Sequence, residues 1–121
     1  MNIKKRVLDV LKQTNYPVYY ATNHDAEDDT YVIFFIANEK THSSCDNEES
    51  AIYYKIHVQI ISIGDYDDLA DNIMKLMKAN DFRRVSSAET YDAELNFYSK
   101  SIHFEYVDYL LDDFPIPLNL K

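Results

Sequence analysis

An α+β fold is predicted: a mixed or antiparallel sheet of about five strands with two helices packed on one face. Three observations predict it. Two segments repeat apolar residues at helical spacing. One segment, 51–61, alternates apolar and polar residues strictly. Strands come in runs, in the order α-β-β-β-α-β-β, rather than alternating one-for-one with helices. The chain has 121 residues and 46% apolar content, enough for one domain, residues 1–121, with a buried core.

The first helix is expected over residues 3–14. Ile3, Val7, Leu8 and Leu11 form its stripe, Asn15 is its stop, and Pro17 cannot continue it. A short strand follows at 18–21, then a polar, acidic loop at 24–29. Residues 30–37 predict a strand that is apolar on both sides. Tyr31, Ile33 and Phe35 lie on one side, and Val32, Phe34 and Ile36 on the other. Such a strand lies in the sheet centre, or another subunit covers one of its faces. Residues 38–50 show no pattern and are expected to form a flexible loop. In 51–61, Ile52, Tyr54, Ile56, Val58 and Ile60 face the core, while Tyr53, Lys55, His57 and Gln59 face out. Gly64 and Asp65 make a turn into a helix at 66–79, whose stripe is Leu69, Ala70, Ile73, Leu76 and Met77. Asp65, Asp67 and Asp68 are expected to cap its positive end. Residues 82–90 and 97–106 form a closing hairpin. An apolar C-terminal tail with two prolines follows at 107–121.

Composition narrows the function. Twelve basic against 21 acidic residues give a net charge of −9, the wrong sign for a sequence-independent grip on phosphates. A single glycine, Gly64, leaves no GxGxxG turn or Walker loop. The longest apolar run, 31–37, is far short of the ~20 residues of a membrane helix. The N-terminus has no apolar signal region. A single cysteine, Cys45, fits a reducing cytoplasm. Eleven tyrosines suit interfaces, where an aromatic body and a polar tip are both useful.

Candidate chemistry is sparse. His42-x-x-Cys45-Asp46 has metal-ligand residue types, but no second pair lies at a useful spacing, and His24, His57 and His103 are scattered. Acidic neighbours of Cys45 disfavour its thiolate. Asp65, Asp67, Asp68 and Asp71 are better explained by a helix start than by a metal. The basic clusters 4–6 and 83–84 are expected to pair with surplus carboxylates on this chain or a neighbour. The expectation is therefore a non-enzyme, with no catalytic residue, metal or cofactor.

Several segments together resemble one family. They are NYPVYY at 15–20, YVIFFI at 31–36, YKIHVQII at 54–61, GDYDDLADNIMKLM at 64–77, DFRR at 81–84, ETY at 89–91 and YSKSIHFEY at 98–106. Their pattern resembles the tail terminator, or tail completion (minor tail), proteins of long non-contractile-tailed phages and prophages. The resemblance spans nearly the whole chain and rests on residue type rather than signature residues. It implies a structural subunit that forms a hexameric ring on the head-proximal end of the tail tube. Its partners would be its own copies, the tail tube protein and a head-completion or connector protein, and its place the head–tail junction of the virion. DNA would pass through such a ring without being held tightly, and no membrane would be involved. The free subunit could be a monomer until the tube templates it.

The residues expected to make the self-contact are Tyr31, Ile33, Phe35 and Tyr53 on the strands, and Phe114, Pro115, Ile116 and Leu118 in the tail. The alternative reading is a small acidic inhibitor or immunity-type protein that covers a basic partner. Its acids would cluster on one face, whereas here they spread from Asp9 to Asp113.

Overall fold

A computed structural model describes residues 2–21, 28–43 and 49–110. In chain order the elements are helix α1 (Ile3–Leu11) continued by a 3₁₀ turn (Lys12–Thr14), strands β1 (Val18–Tyr20), β2 (Thr30–Ser43) and β3 (Glu49–Ser62), helix α2 (Asp67–Ala79), and strands β4 (Arg83–Asp92) and β5 (Phe97–Tyr109). The strands form one sheet in the order β1-β2-β3-β5-β4. β1 runs parallel to β2 and every other pair is antiparallel. The α+β class, the mixed five-stranded sheet and the element order are those expected from the sequence.

Helix α1 starts where Asn2 Oδ1 accepts the Lys5 N–H at 3.1 Å, satisfying one of the orphan donors of the first turn. It buries Ile3, Val7, Val10 and Leu11. Asn15 takes a left-handed φ of 67°, which ends the 3₁₀ turn. Asp65 accepts the Asp67 N–H at 2.9 Å, but the N-cap position of α2 is Tyr66, with no side-chain cap. Asp67 and Asp68 stand in the first turn, where the helix dipole favours carboxylates.

The end of α2 is a Schellman-type stop. Phe82 N–H bonds Met77 O at 3.0 Å, Asp81 N–H bonds Lys78 O at 3.1 Å, and Asp81 sits at φ 72°. Glycine is the usual residue there, because a Cβ is strained at positive φ. Asp81→Gly is expected to stabilise the fold by about 0.5–1 kcal/mol, read as a higher urea midpoint with unchanged slope. An unchanged or lower midpoint would show that Asp81 carries little strain.

The core lies between the helices and one sheet face. Val32 and Phe34 of β2, Tyr54, Ile56, Val58 and Ile60 of β3, and Ile102, Phe104 and Tyr106 of β5 meet Val7, Leu11, Leu69, Ala70, Ile73 and Met77. Arg6 bridges the two helices at the rim. It donates to Asn80 O at 3.2 Å, and its guanidinium lies 4.9 Å from the Tyr106 ring centroid.

Two sequence expectations need correction. Residues 38–43 and 49–50, placed in a patternless loop over 38–50, belong to β2 and β3. Asn38 pairs with Lys55, Lys40 with Tyr53 and His42 with Ala51, after a bulge at 36–38. Residues 107–109, placed in the tail, continue β5, with Val107 opposite Tyr53 and Tyr109 opposite Ala51. In both cases a long alternating β3 supplies ladder partners that polar or mixed segments would not find alone. Residues 44–48 and 111–121 lie outside the described residues, as do most of the 24–29 loop and Cys45.

Candidate interaction face

The face of the sheet opposite the helices carries no element of this chain among the described residues. Its composition follows from strand phase. Val32, Phe34, Ile56, Val58, Ile102 and Phe104 face the helices, so the residues between them face the other way. These are Tyr31, Ile33 and Phe35 on β2, Tyr53, Lys55, His57, Gln59 and Ile61 on β3, and Ser99, Ser101, His103 and Glu105 on β5. All four strand residues expected in a self-contact therefore lie on this one face. Ile33 is buried among its neighbours, whereas Phe35 and Tyr53 remain 36% and 41% exposed. The four tail residues, Phe114, Pro115, Ile116 and Leu118, lie outside the described residues.

Cross-strand register gathers a row of side chains that sequence reasoning left apart. Phe35, His57, His103 and Ser86 stand directly opposite one another on β2, β3, β5 and β4. Phe35 stacks on the His57 ring with centroids 4.6 Å apart and planes 21° apart. His57 Nδ1 lies 2.8 Å from His103 Nε2, and His103 Nδ1 lies 3.1 Å from Ser86 Oγ. Burial holds the His57 pKa below the usual imidazole value, His103 adds to the lowering, and Gln59 opposes it. The only sequence signal for this row was the outward phase of His57; the 46-residue separation from His103 hid the pair.

On one side of this row, Arg83 bonds Glu105, with Lys55 opposite Glu105 on β3. On the other, Gln59 Nε2 donates to Ser99 Oγ at 2.6 Å. Tyr19 meets Tyr31 edge-on at 5.9 Å, and its hydroxyl donates to Asp28 at 2.8 Å. That bond, some burial and the Asp28 charge push the Tyr19 pKa up. The face is therefore amphipathic: aromatic at β1 and β2, and hydrogen-bonding at β3 and β5.

The helix side differs in character. Asp67, Asp68 and Asp71 are exposed at the start of α2. A groove between the end of α2 and β4 is lined by Lys75, Lys78, Arg83 and Arg84, with one acid, Asp81, over Met74, Phe82 and Phe104. As expected, some cluster cations pair within the chain: Lys5 with Asp9 at 3.0 Å, and Arg83 with Glu105. Among the described residues, no group of three or more His, Cys, Asp or Glu side chains converges as a metal site. No helix among them is long and apolar enough to cross a membrane.

A scan against protein-family models gave no match, and a search of curated proteins found no similar sequence.

Proposed function

We propose that this chain is a non-catalytic structural subunit, a tail terminator or tail completion protein of a long non-contractile-tailed phage or prophage. It closes into a ring, hexameric by the family resemblance, at the head-proximal end of the tail tube and takes part in head–tail joining. The observation that carries the reading is the uncovered sheet face, with Phe35 and Tyr53 exposed beside buried Ile33. Exposed aromatics over an apolar floor are the anatomy of an interface core. The hydrogen-bonded row of His57, His103 and Ser86 lies flat on that face, which suits docking better than chemistry that must exclude water.

Two further features support the reading. The helix side presents acids at one end of α2 and a cationic groove at the other, so unlike surfaces of successive copies can meet. A heterologous contact of that kind closes into a ring when its rotation allows. A net charge of −9 lets DNA pass a lumen without sticking.

The test mixes the full chain with assembled tail tubes from the same genome and images them by electron microscopy. Rings confined to one tube end are expected. A monomer at every concentration, with bare tube ends, overturns the reading; tight binding to a basic partner would then favour the acidic inhibitor. Deleting residues 114–121 is expected to weaken ring formation. Unchanged rings would remove the tail from the contact.

A further inference from the structure

The geometry points to a divalent transition-metal site on the uncovered sheet face, in which His57 Nδ1 and His103 Nε2 bind one borderline cation such as Ni²⁺, Cu²⁺ or Zn²⁺. This inference stands independently of the proposed function, because it needs only one subunit's sheet.

The two nitrogens face each other at 2.8 Å from directly opposed positions on β3 and β5. Two neutral imidazoles can make that contact only if one of them places its single N–H in the gap. The neighbours can hold both N–H groups on the outer nitrogens. Ser86 Oγ lies 3.1 Å from His103 Nδ1 and can either donate to that nitrogen or accept its proton; when it accepts, Nε2 is left with its lone pair. Gln59 has given its amide nitrogen to Ser99 Oγ, so it offers His57 a carbonyl oxygen. Since His57 Nδ1 is turned toward His103, the N–H that Gln59 can take is the one on Nε2. These tautomers are assigned from the network. In the free chain one imidazole N–H bridges the gap; with both N–H groups moved to the outer nitrogens, two lone pairs face it, and a cation takes the place of the bridging proton.

The spacing fits. Two imidazole nitrogens bound at about 2.1 Å, at a right angle on one cation, stand about 3 Å apart. The pair must open by a few tenths of an ångström, and both rings must turn so that their lone pairs point to a cation set beside the line between the nitrogens, which rotation about the Cβ–Cγ bonds provides. Stacking of Phe35 fixes the plane of one ring, while Ser86 orients the other, the role that hydrogen-bond partners of metal-bound histidines commonly play. No third His, Cys, Asp or Glu converges among the described residues. The remaining positions point away from the sheet, open to water or to a donor from whatever covers the face. Right-angled, partly aquated sites of nitrogen ligands suit Cu²⁺ and Ni²⁺, with Cu²⁺ tightest by the general affinity order.

The experiment is calorimetric titration of the full chain, free of any histidine tag, with Ni²⁺ and Zn²⁺. One cation per chain is expected. His57→Gln and His103→Gln should each weaken binding by at least about tenfold, and Ser86→Ala by a smaller factor. His42→Gln and Cys45→Ser should leave it unchanged, which separates this site from the His42–Cys45 segment. Proton NMR of the unmodified chain with Zn²⁺ gives a second reading that no folding defect can confound: the ring signals of His57 and His103 should shift, and those of His24 and His42 should not. Absence of binding at millimolar cation overturns the site. So does binding that survives both His57→Gln and His103→Gln, or shifts confined to other histidines.

Discussion

Replacing Phe104 with alanine is expected to cost about 3–5 kcal/mol of stability and to lower the thermal midpoint by roughly 10–20 °C. Phe104 is 1% exposed and stands in β5 between Ile56 of β3 and Arg84 of β4. It belongs to the same buried cluster as Ile73 and Met77 of α2. Removing the ring loses its transfer free energy and leaves a void that two ladder neighbours and a helix cannot close. A domain of this size has about 5–15 kcal/mol in all, so the variant should be marginal at 37 °C. Urea unfolding followed by circular dichroism checks it. A loss below about 1 kcal/mol would mean that the helix–sheet interface can collapse around the gap, and that this packing is looser than the burial implies. His103→Ala, one residue earlier on the exposed side of the same strand, serves as the control and should change stability far less.

The same alternation that separates Phe104 from His103 explains what could be read from the chain alone. Strict period-two patterning made β3 legible, with all five of its inward residues. The 3.6-residue stripes placed α1 and α2, with Asn15 as a stop, but left out Val10, which is buried, and included Leu8 and Leu76, which are only partly so. What escaped is pairing. Residues 38–43, polar and without pattern, become strand because β3 continues past them and offers its backbone groups. Val107, Asp108 and Tyr109 join β5 for the same reason. The row of Phe35, His57, His103 and Ser86 depends on the register of four strands, two of them offset by bulges, and no local signal encodes register at that range. The candidate self-contact residues were half legible. A strand apolar on both sides implies that one side needs cover, and Tyr31, Ile33, Phe35 and Tyr53 do share the uncovered face.

Under the proposed ring-forming function, the double substitution Phe35→Ala, Tyr53→Ala is expected to abolish self-association while leaving a folded monomer. Each ring is more than a third exposed, so its loss should cost the isolated subunit only about 1 kcal/mol, part of it from the Phe35–His57 stack. At an interface core, truncating a large aromatic costs 2 kcal/mol or more, because the ring fills a desolvated pocket on the partner. Two such losses weaken one contact by roughly a thousandfold. In a closed ring every subunit carries both changes and every contact is weakened alike, so assembly should fail well above the concentrations at which the parent chain assembles. Sedimentation velocity and electron microscopy of tube ends, with circular dichroism to confirm the fold, give the answer. If the double variant forms rings as readily as the parent, the uncovered face is not the contact between copies. Assembly would then have to run through other surfaces, such as the acidic start of α2 and the cationic groove beside β4. If the variant stays monomeric while Asp81→Gly assembles normally, the aromatic face is the contact, and the exposed Phe35 and Tyr53 are the residues that make it.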